Sequence, residues 1–454
     1  MSFDDLAASL RGELVTPDSA HYDEVRAVYN AMIDKKPAAL ARCVDATDVQ
    51  TCVNYARDNG VSLAIRGGGH NAGGLGSVDG GLVIDLAPMR GIRVDPKNNS
   101  IRVQGGCRWG DVDHAAHAYG LAVPSGTIST TGVGGLTLGG GVGHLSRKGG
   151  LTIDNLLEAD VVLADGSMVV AGPEESADLY WALRGGGGNF GVVTSFLFQG
   201  QPVHTIFGGP TLWSLDRTEE IMKWYREFIL SAPEELNGFF AFLTVPPGPP
   251  FPEHLHLHKM CGVLWCYSGD LANAEELFAP VRELKPDLYG VHDMPFPALN
   301  SAFDALYPPG HQWYWRADFF TEISDASIVE HAKWSKKLPT MQSSMHLYPI
   351  DGAPHRVGPE DTAWSYREAN WAGVIVGVDP DPAKKDILRD WAVGYWDDVH
   401  PFSSGGAYIN FMMEEGQERV QASYRDNYDR LAEIKAKYDP NNLFRVNQNI
   451  LPKG

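Results

Sequence analysis

Residues Arg66–Asn71 read Arg-Gly-Gly-Gly-His-Asn, a combination suited to holding a phosphorylated ligand beside a reactive side chain. Three glycines can take φ > 0 and bring backbone N–H groups against a phosphate, while Arg66 adds positive charge. His70 ends this cradle. Two more glycine-rich runs follow, at 132–143 and 183–194. One run alone would indicate an ordinary turn, but three runs together indicate a large phosphorylated cofactor lying across several loops.

The two commonest nucleotide-binding motifs do not fit these runs. A Rossmann fingerprint needs a helix directly after its glycines, but residues 73–76 prolong the loop and residues 81–86 begin another strand. A Walker loop needs Gly-Lys-Ser or Gly-Lys-Thr, and neither tripeptide occurs in the sequence. The cofactor cradle is therefore of another kind.

Composition narrows the class of protein. The 454 residues suffice for two domains, or for one large α/β domain split by an insertion. The shares of hydrophobic residues (44%) and charged residues (21%) are those of an ordinary globular protein with a substantial core. A net charge of −20 argues against nucleic acid or an anionic membrane as the main partner. The net charge does not decide on a small substrate, because the local field of a pocket can oppose it.

The compartment is predicted from the N-terminus, the apolar runs and the cysteines. Residues 1–11 lack the basic and apolar regions of a secretion signal. No segment approaches 18 uninterrupted apolar residues, so no membrane span is expected. The five cysteines include no Cys-x-x-Cys pair, which favours buried thiols over disulfides or a zinc site. We therefore expect a cytoplasmic protein.

Several short elements must position the glycine runs. Helices are predicted at residues 22–32 and 48–59, and a strand at residues 61–65 delivers the first glycine run. Asp165-Gly166 stands between two strand-like runs, which is a hairpin signal. The first part of the chain is thus a compact α/β unit around the cradle.

Beyond residue 199 the character of the chain changes, because glycine motifs vanish and aromatic residues and prolines accumulate. We place a domain boundary near residues 201–204. Asp216–Glu219 has the form of a capping box before an amphipathic helix. The remaining predicted elements are strands at 238–245, 255–267, 345–350 and 373–378, helices at 273–284 and 324–336, and a final helix at 427–438. Strands interleaved with helices on one side indicate an α+β substrate domain.

Taken together, these motifs resemble the FAD-linked oxidases of the vanillyl-alcohol-oxidase superfamily, specifically the berberine-bridge-enzyme-like branch that includes bacterial hydroxynicotine oxidases. The segments that carry the resemblance are 66–71, 105–106, 132–143, 149–155, 165–166, 181–194, 438–444 and 447–450. The resemblance implies FAD as cofactor and an α+β, two-domain PCMH-type FAD-binding fold with an inserted substrate domain of antiparallel sheet covered by helices. It places the FAD-binding domain at residues 1–202 and 405–454, and the substrate-binding domain at residues 203–404.

Site residues follow from the same resemblance. In this family the histidine that matches His70 bonds covalently to the flavin 8α-methyl carbon. Many relatives hold a second link through a cysteine where this sequence has Ile128, so a single tether is expected. The other residues expected to bind FAD are Arg66, Gly67, Gly68, Gly69, Asn71, Gly74, Ser125, Gly126, Thr131, Gly132, Gly134, Gly135, Gly140, Gly141, Gly143, Val193 and Asn447.

The group that accepts the substrate's proton is left open. Oxidising an alcohol sends a hydride to the flavin and a proton to a base, and a tyrosine serves when its surroundings lower its pKa. After Tyr408-Ile409-Asn410 relatives usually continue with a tyrosine assigned as that base, but this sequence has Phe411. Tyr408 or a residue of the substrate domain supplies the base, or the substrate is a neutral amine that needs none. Asn410 matches the pattern and is expected near the flavin.

Two further patterns admit both a functional and a structural interpretation. His254, His256 and His258 alternate, so on a strand they would face one way. No carboxylate or cysteine of suitable spacing accompanies them, and no metal site is predicted. The aromatic residues Trp313–Trp315 beside Arg316 could stack on a planar substrate or pack in a core.

The sequence and its family resemblance therefore predict an FAD-dependent oxidoreductase that takes a hydride from a CH–OH or CH–NH centre of a small molecule. The preferred prediction is an oxidase, whose flavin is reoxidised by O₂. Thr131 stands where relatives commonly carry a branched apolar residue near the oxygen-reacting face, which leaves open a dehydrogenase using another acceptor. Phe411 leaves open a flavin-containing protein that sequesters a drug-like molecule with little turnover. Neither the substrate nor the oligomeric state follows from the sequence.

Overall fold

The structure, a computed structural model, describes residues 2–454 and combines nineteen β-strands with fifteen α-helices in that range. The strands of the first half are β1 (Glu13–Val15), β2 (Ala39–Arg42), β3 (Leu63–Arg66), β4 (Leu82–Asp85), β5 (Ile92–Asp95), β6 (Ser100–Gln104), β7 (Leu121–Ala122), β8 (Leu156–Val162), β9 (Met168–Ala171), β10 (Val192–Gln199) and β11 (Gln201–Pro202). Those of the second half are β12 (Thr205–Ser214), β13 (Leu236–Thr244), β14 (Lys259–Tyr267), β15 (Leu288–Tyr289), β16 (His292–Pro295), β17 (Gln312–Phe320), β18 (Ser344–Pro349) and β19 (Trp371–Asp379).

The helices lie between these strands and at the C-terminus. They are α1 (Phe3–Ser9), α2 (Tyr22–Arg26), α3 (Ala46–Asn59), α4 (Trp109–His117), α5 (Val133–Gly139), α6 (Ser146–Gly149), α7 (Ala177–Leu183), α8 (Thr218–Ser231), α9 (Ala274–Leu277), α10 (Ala279–Glu283), α11 (Phe296–Asn300), α12 (Asp325–Ser335), α13 (Lys385–Val399), α14 (Gln417–Tyr424) and α15 (Asn427–Tyr438). Within residues 2–454, none of them has the length and apolar composition needed to span a bilayer.

Four strands form a sheet near the N-terminus in the order β1-β2-β4-β3. Both β2 and β3 run parallel to β4, and α3 packs against β4, β8 and β10. Asp45 caps α3 by accepting hydrogen bonds from the N–H groups of Thr47 and Asp48, and Gly60 ends it at φ 63°. Because β3 ends at Arg66, this sheet fixes where the first glycine run begins.

Five antiparallel strands form a second sheet in the order β5-β6-β10-β8-β9. Val162 on β8 pairs with Met168 on β9, which confirms the hairpin predicted at Asp165-Gly166. The third glycine run leads directly into β10, whose Phe196 and Phe198 are fully buried. The first and third runs are therefore both attached to strands of packed sheets.

Eight antiparallel strands form the large sheet, in the order β15-β12-β14-β13-β18-β19-β17 with β16 also paired to β12. Side chains alternate across it. On β13, Phe240 and Phe242 pack in a core with residues of α8, α12 and α13. Phe239 and Ala241 instead pack with residues of the first part of the chain. One face of the sheet is thus covered by helices, as predicted, and the other is turned towards the glycine runs.

The first predicted helix is shorter than expected. It ends at Arg26 instead of Met32. Asn30 is fully buried, and its side-chain amide donates hydrogen bonds to the carbonyls of Ala72 and Trp313. Contacts to two distant parts of the chain therefore hold this segment out of the helix.

Two predictions in the second half are wrong in detail. The helix predicted at 273–284 is divided into α9 and α10, because Pro280 has no N–H to donate and disfavours a continuous helix. The capping box predicted at Asp216–Glu219 does not form, because a 3₁₀ turn at Leu215–Arg217 precedes α8 and takes up the first residues of the predicted box. Ser214 caps that turn by accepting a backbone hydrogen bond, and α8 follows without a side-chain cap.

The three alternating histidines do not lie on a strand. A 3₁₀ turn at Glu253–Leu255 takes up the start of this segment, and β14 begins only at Lys259. His256 Nε2 lies 3.2 Å from the backbone nitrogen of Gly248, within the same loop. The geometry expected of a histidine-bearing strand is therefore not formed.

Candidate active site

A cavity of about 380 Å³ lies between the glycine runs and the open face of the large sheet. Backbone of the three glycine runs forms one part of its wall. Side chains from β12, β13, β14, β17, β18 and β19 form another part, and residues 408–411 contribute from the C-terminal part of the chain. Segments far apart in sequence therefore meet at one site.

The first two glycine runs pack backbone against backbone. A Cβ added at Gly68 would lie 2.4 Å from the amide nitrogen of Gly132, and one added at Gly132 would lie 2.3 Å from that of Gly68. Only glycine allows this approach. The third run joins them, because the Gly187 N–H donates to the carbonyl of Leu138 at 2.9 Å. The second run is not a loop throughout, since α5 forms its centre.

Most residues predicted to bind FAD line this cavity. They are Arg66, Gly67, Gly68, Gly69, His70, Asn71, Gly126, Thr131, Gly132, Gly134, Gly135, Val193 and Asn447. Five predicted residues are not among the lining residues that the structure describes: Gly74, Ser125, Gly140, Gly141 and Gly143.

The five outlying residues are packed behind the wall, and their predicted role in FAD binding stays a prediction. A Cβ at Gly74 would lie 2.5 Å from the Ile33 side chain, and one at Gly140 would lie 2.3 Å from the Trp364 ring. Similar collisions at Gly141 and Gly143 involve Thr152 and the Ser125 carbonyl. Ser125 itself is buried, 1% exposed. A glycine-rich sequence does not by itself distinguish such packing positions from ligand-facing ones.

Arg66 reaches the cavity as part of a buried ion pair. Its Nη2 lies 2.9 Å from Asp85 Oδ2, and the two side chains are 7% and 3% exposed. This carboxylate offsets much of the positive charge that was expected to face a phosphate. Nη1 has no hydrogen-bond partner within residues 2–454, so both of its N–H groups remain for a ligand.

His70 is held by contacts on its ring face and on one nitrogen. The Tyr29 ring stacks on it with 3.9 Å between centroids and 21° between planes. Nε2 lies 3.1 Å from Thr130 Oγ1. Burial, with a smaller effect of Arg108, lowers the pKa of His70 to about 3. The imidazole is therefore neutral at neutral pH and fixed in orientation.

Tyr408 and Asn410 lie together on the cavity wall. The Tyr408 hydroxyl accepts hydrogen bonds from the Asn410 side-chain amide at 2.7 Å and from the Gly141 N–H at 2.9 Å. Asn410 also donates to the Leu136 carbonyl at 3.0 Å. Burial raises the pKa of Tyr408 to about 12, although both hydrogen bonds act in the opposite direction. Phe411 lines the cavity beside them.

The aromatic cluster at residues 313–315 is divided between two environments. Trp313 and Trp315 line the cavity. Tyr314 between them packs on the helix side of the sheet, with the Arg316 guanidinium 4.9 Å from its ring centroid. Among the lining residues that the structure describes, Arg66 is the one with a charged side chain. The sheet side of the cavity is therefore aromatic and uncharged.

Sequence reasoning missed four residues of the site. Tyr29 and Thr130 hold His70, and His346 and Tyr348 line the sheet side. A signal existed for the last two, because a strand predicted at 345–350 places residues two apart on one face. No local signal marks Tyr29, whose position depends on the distant contacts of its neighbour.

This arrangement, with a backbone-lined cradle, a histidine at its end and a cavity against an antiparallel sheet, is that of an FAD-linked oxidoreductase. Residues 37–172 match the family described as FAD binding domain, and residues 407–451 match the family described as berberine and berberine like. The chain belongs to the berberine-bridge-like family of FAD-linked oxidoreductases.

Individual relatives are similar over nearly the whole chain. Identity to (R)-6-hydroxynicotine oxidase of Paenarthrobacter nicotinovorans is 30% across 98% of both chains. Identity to the uncharacterized FAD-linked oxidoreductase YgaK of Bacillus subtilis (strain 168) is 29%, across 98% of this chain and 97% of that one. The crystal structure of 6-hydroxy-D-nicotine oxidase from Arthrobacter nicotinovorans superposes with a TM-score of 0.88 and 26% identity, covering 98% and 99% of the chains. The predicted family, fold class and FAD cofactor are confirmed.

The residues present fit FAD. The close approach of Gly68 and Gly132 leaves a wall of backbone without side chains. Arg66 Nη1 and Asn447 Oδ1, on residues that line the cavity, have no hydrogen-bond partner in the described part of the chain. Buried polar atoms usually have partners, and a phosphorylated cofactor with many polar atoms supplies them.

Proposed function

We propose that this FAD-linked oxidoreductase is an oxidase that takes a hydride from a CH–OH or CH–NH centre of a small, uncharged organic molecule. Bound FAD supplies the hydride acceptor and is reoxidised by O₂, while the chain's own residues hold the cofactor, orient the substrate and take up its proton. The FAD-binding part comprises residues 1–202 and 405–454, and the substrate-binding part comprises residues 203–404. The observation that carries the proposal is that His70 is a buried, neutral imidazole held at the end of the cofactor cradle by Tyr29 and Thr130.

His70 is suited to form one covalent bond to the flavin. Thr130 occupies Nε2, which leaves Nδ1 as the nitrogen free to bond. Because the pKa is lowered to about 3, the ring is neutral at neutral pH, and in the tautomer whose Nε2–H donates to Thr130 Oγ1 the lone pair is on Nδ1. The stacked Tyr29 ring holds the imidazole in one orientation. A nucleophilic nitrogen fixed at the end of a cofactor cradle supports covalent attachment.

The attachment is single. Ile128 lines the cavity where a second, cysteine-linked bond would be made. The nearest cysteine in sequence, Cys107, is fully buried, and its thiol lies 3.8 Å from the Gly91 carbonyl. Burial raises the pKa of this thiol to about 12, which disfavours the reactive thiolate.

Asn410 is assigned to the flavin side of the cavity, and Tyr408 is assigned to holding Asn410 in place. The Tyr408 hydroxyl already accepts two hydrogen bonds, and its pKa of about 12 makes it a poor resting base. The remaining predicted FAD contacts are assigned to the cavity-lining residues named above. The group that accepts the substrate's proton is therefore assigned to the substrate-binding part.

The lining indicates the character of the substrate. Arg66 is paired with Asp85. The described residues that line the cavity therefore offer no unpaired charge that could recognise an ionic group of the substrate. Trp313, Trp315 and Phe239 provide flat apolar surface. One relative is named (R)-6-hydroxynicotine oxidase, which names a small organic substrate. A neutral, planar alcohol or amine fits these features.

Acid denaturation followed by intact-mass measurement tests the covalent bond. The wild type is expected to retain the mass of one FAD, and His70→Ala is expected to lose it. Cys107→Ser is the matched control, and its flavin should stay attached. Flavin that washes from the wild type would contradict the covalent attachment.

Anaerobic mixing with alcohols and amines tests the reaction. We expect the flavin to bleach and to recover its colour in air with formation of hydrogen peroxide. Bleached flavin that air does not reoxidise would point to a dehydrogenase. Tight binding without bleaching would point to a sequestering protein.

A further inference from the structure

His346 and Tyr348 form a hydrogen-bonded pair on the cavity face of β18. Nδ1 of His346 lies 2.8 Å from the Tyr348 hydroxyl, and both side chains line the cavity. Met345 and Leu347, which alternate with them, pack in the core on the helix side. The strand therefore holds the pair towards the cavity.

The Tyr348 ring lies where the large sheet meets residues 408–411. Its centroid is 4.8 Å from that of Phe239 and 5.7 Å from that of Phe411. Thr127, on the loop between the first two glycine runs, lines the same cavity and acts to lower the pKa of the Tyr348 hydroxyl. Tyr348 thus brings a phenol close to the position where the family pattern has tyrosine and this chain has phenylalanine.

The protonation states of the two side chains are complementary. Burial lowers the pKa of His346 to about 4, so its imidazole is neutral at neutral pH and Nδ1 can accept a proton. Burial raises the pKa of Tyr348 above its usual range, with Thr127 acting in the opposite direction. A resting phenolate is disfavoured, and Tyr348 can take up a proton only while giving its own to His346.

We propose that Tyr348 accepts the proton of the substrate's hydroxyl group and passes its own phenolic proton to Nδ1 of His346 in the same step. This relay rests on the proposed function, in which FAD takes the hydride. The C–H and O–H bonds of the alcohol break and the second C–O bond forms. The C–H electron pair leaves as hydride, and the proton ends on His346, which becomes an imidazolium. Tyr348 is the catalytic residue, and His346 is a positioning residue that acts through it.

Other ionisable groups of the cavity do not replace this pair. The Tyr408 hydroxyl is occupied by two donors. Burial raises the pKa of Tyr307, and the side chain that acts in the opposite direction is that of Ser344, which is not a base. The strands on either side of β18 contribute Phe239 and Val374 to the lining near the pair, and both are apolar.

A matched control pair exists elsewhere in the chain. Nδ1 of His331 on α12 lies 2.7 Å from the Tyr395 hydroxyl on α13. Burial lowers the pKa of His331 to about 3 and raises that of Tyr395 well above its usual range. Both residues pack on the helix side of the sheet and are not among the described residues that line the cavity. Removing the Tyr395 hydroxyl is therefore the same chemical change at a site that substrate does not reach.

The test compares Tyr348→Phe, His346→Gln and Tyr395→Phe in the full-length protein with its flavin. Anaerobic bleaching is followed by stopped flow with benzyl alcohol, 4-methoxybenzyl alcohol and cinnamyl alcohol, and the probe that is fastest with the wild type is used throughout. Tyr348→Phe should bleach about 10²- to 10⁴-fold more slowly, the usual range for a lost general base. Tyr395→Phe should bleach at the wild-type rate.

His346→Gln separates proton uptake from positioning. Glutamine still offers an acceptor to the Tyr348 hydroxyl but cannot hold the proton. In pH-jump stopped flow, where protein kept at pH 7 is mixed into acid and followed before it unfolds, the wild-type rate should fall around pH 4 as His346 becomes protonated. This acid limb should be missing from His346→Gln, which is slow at every pH. Rates that keep the acid limb in His346→Gln would contradict proton uptake at this histidine.

A readout without substrate follows the ¹⁵N signals of labelled histidines in the same holoproteins. Tyr348→Phe should move the signals that His346→Gln removes, whereas Tyr395→Phe should leave those signals in place. Unmoved signals, or a wild-type bleaching rate in Tyr348→Phe, would overturn the relay and leave the proposed function standing. If no alcohol or amine bleaches the wild-type flavin, the proposed function is wrong and the relay falls with it.

Discussion

The large sheet has a histidine–tyrosine pair on each side, and the two pairs differ in their surroundings more than in their own geometry. The Nδ1-to-hydroxyl distances are 2.8 Å for His346–Tyr348 and 2.7 Å for His331–Tyr395. Burial keeps both imidazoles neutral at neutral pH. One pair lines the cavity, and the other lies among helices α12 and α13.

The surroundings decide what each pair can do. His331 has the Phe242 and Phe320 rings near it, and Tyr395 stacks with Trp334 at 5.6 Å between centroids. Neither residue of this pair is among the described residues that line the large cavity, so its hydrogen bond serves packing. A shifted pKa is therefore insufficient evidence for catalysis until the group is shown to face a cavity.

Neighbouring phenylalanines on β13 give the largest expected contrast between the two faces. Phe240 is fully buried on the helix side, so Phe240→Ala should lower the free energy of unfolding by about 3–5 kcal/mol. Phe239 faces the cavity, and truncating it enlarges an existing space, so Phe239→Ala should cost less stability and weaken substrate binding instead. Urea unfolding and KM measurements check both effects. Equal losses of stability would show that the cavity face is packed as tightly as the helix face.

Protonation of the histidine in either histidine–tyrosine pair at acid pH should lower the free energy of unfolding to a similar degree. The folded pKa values of His331 and His346 are lowered to about 3 and about 4. Between the folded and unfolded pKa values, the unfolded chain therefore binds protons that the folded chain does not. The free energy of unfolding has its full value above about pH 6.5 and falls below that pH by up to about 1.4 kcal/mol per pH unit for each histidine. His144, lowered to about 3, acts in the same direction.

Urea unfolding between pH 7 and pH 5 measures this slope. His331→Gln and His346→Gln should each reduce it by about one proton, although the two variants differ in flavin bleaching. A slope that does not change in either variant would mean that these histidines are not held neutral by the fold.

The parts of the fold that could be predicted have local signals. The α15 helix has its predicted bounds, and the strand before Arg66 follows from a short apolar run between turn residues. The glycine runs predicted the bare backbone wall of the cavity, because glycine leaves backbone without side chains. The family resemblance supplied FAD and the fold, which composition and spacing do not give.

The rest of the site depends on contacts that no short stretch of sequence reports. Tyr29 reaches His70 because Asn30 is bound to Ala72 and Trp313. The charge of Arg66 is offset only because β3 and β4 pair in a register that places Arg66 opposite Asp85. Such partners become visible only when the sheets are assembled.

The smallest expected effect is the loss of unfolding free energy when either histidine–tyrosine pair loses its tyrosine hydroxyl. Tyr395→Phe leaves the His331 ring nitrogen buried without its partner, which should lower the free energy of unfolding by about 1–3 kcal/mol. Tyr348→Phe should cost less, because His346 borders a cavity where water can replace the lost partner. Urea unfolding of both variants at pH 7, with the flavin retained, gives the two values. A larger loss for Tyr348→Phe would mean that the cavity-facing pair is also a structural element, and its slow bleaching would then have to be separated from misfolding by the histidine signals.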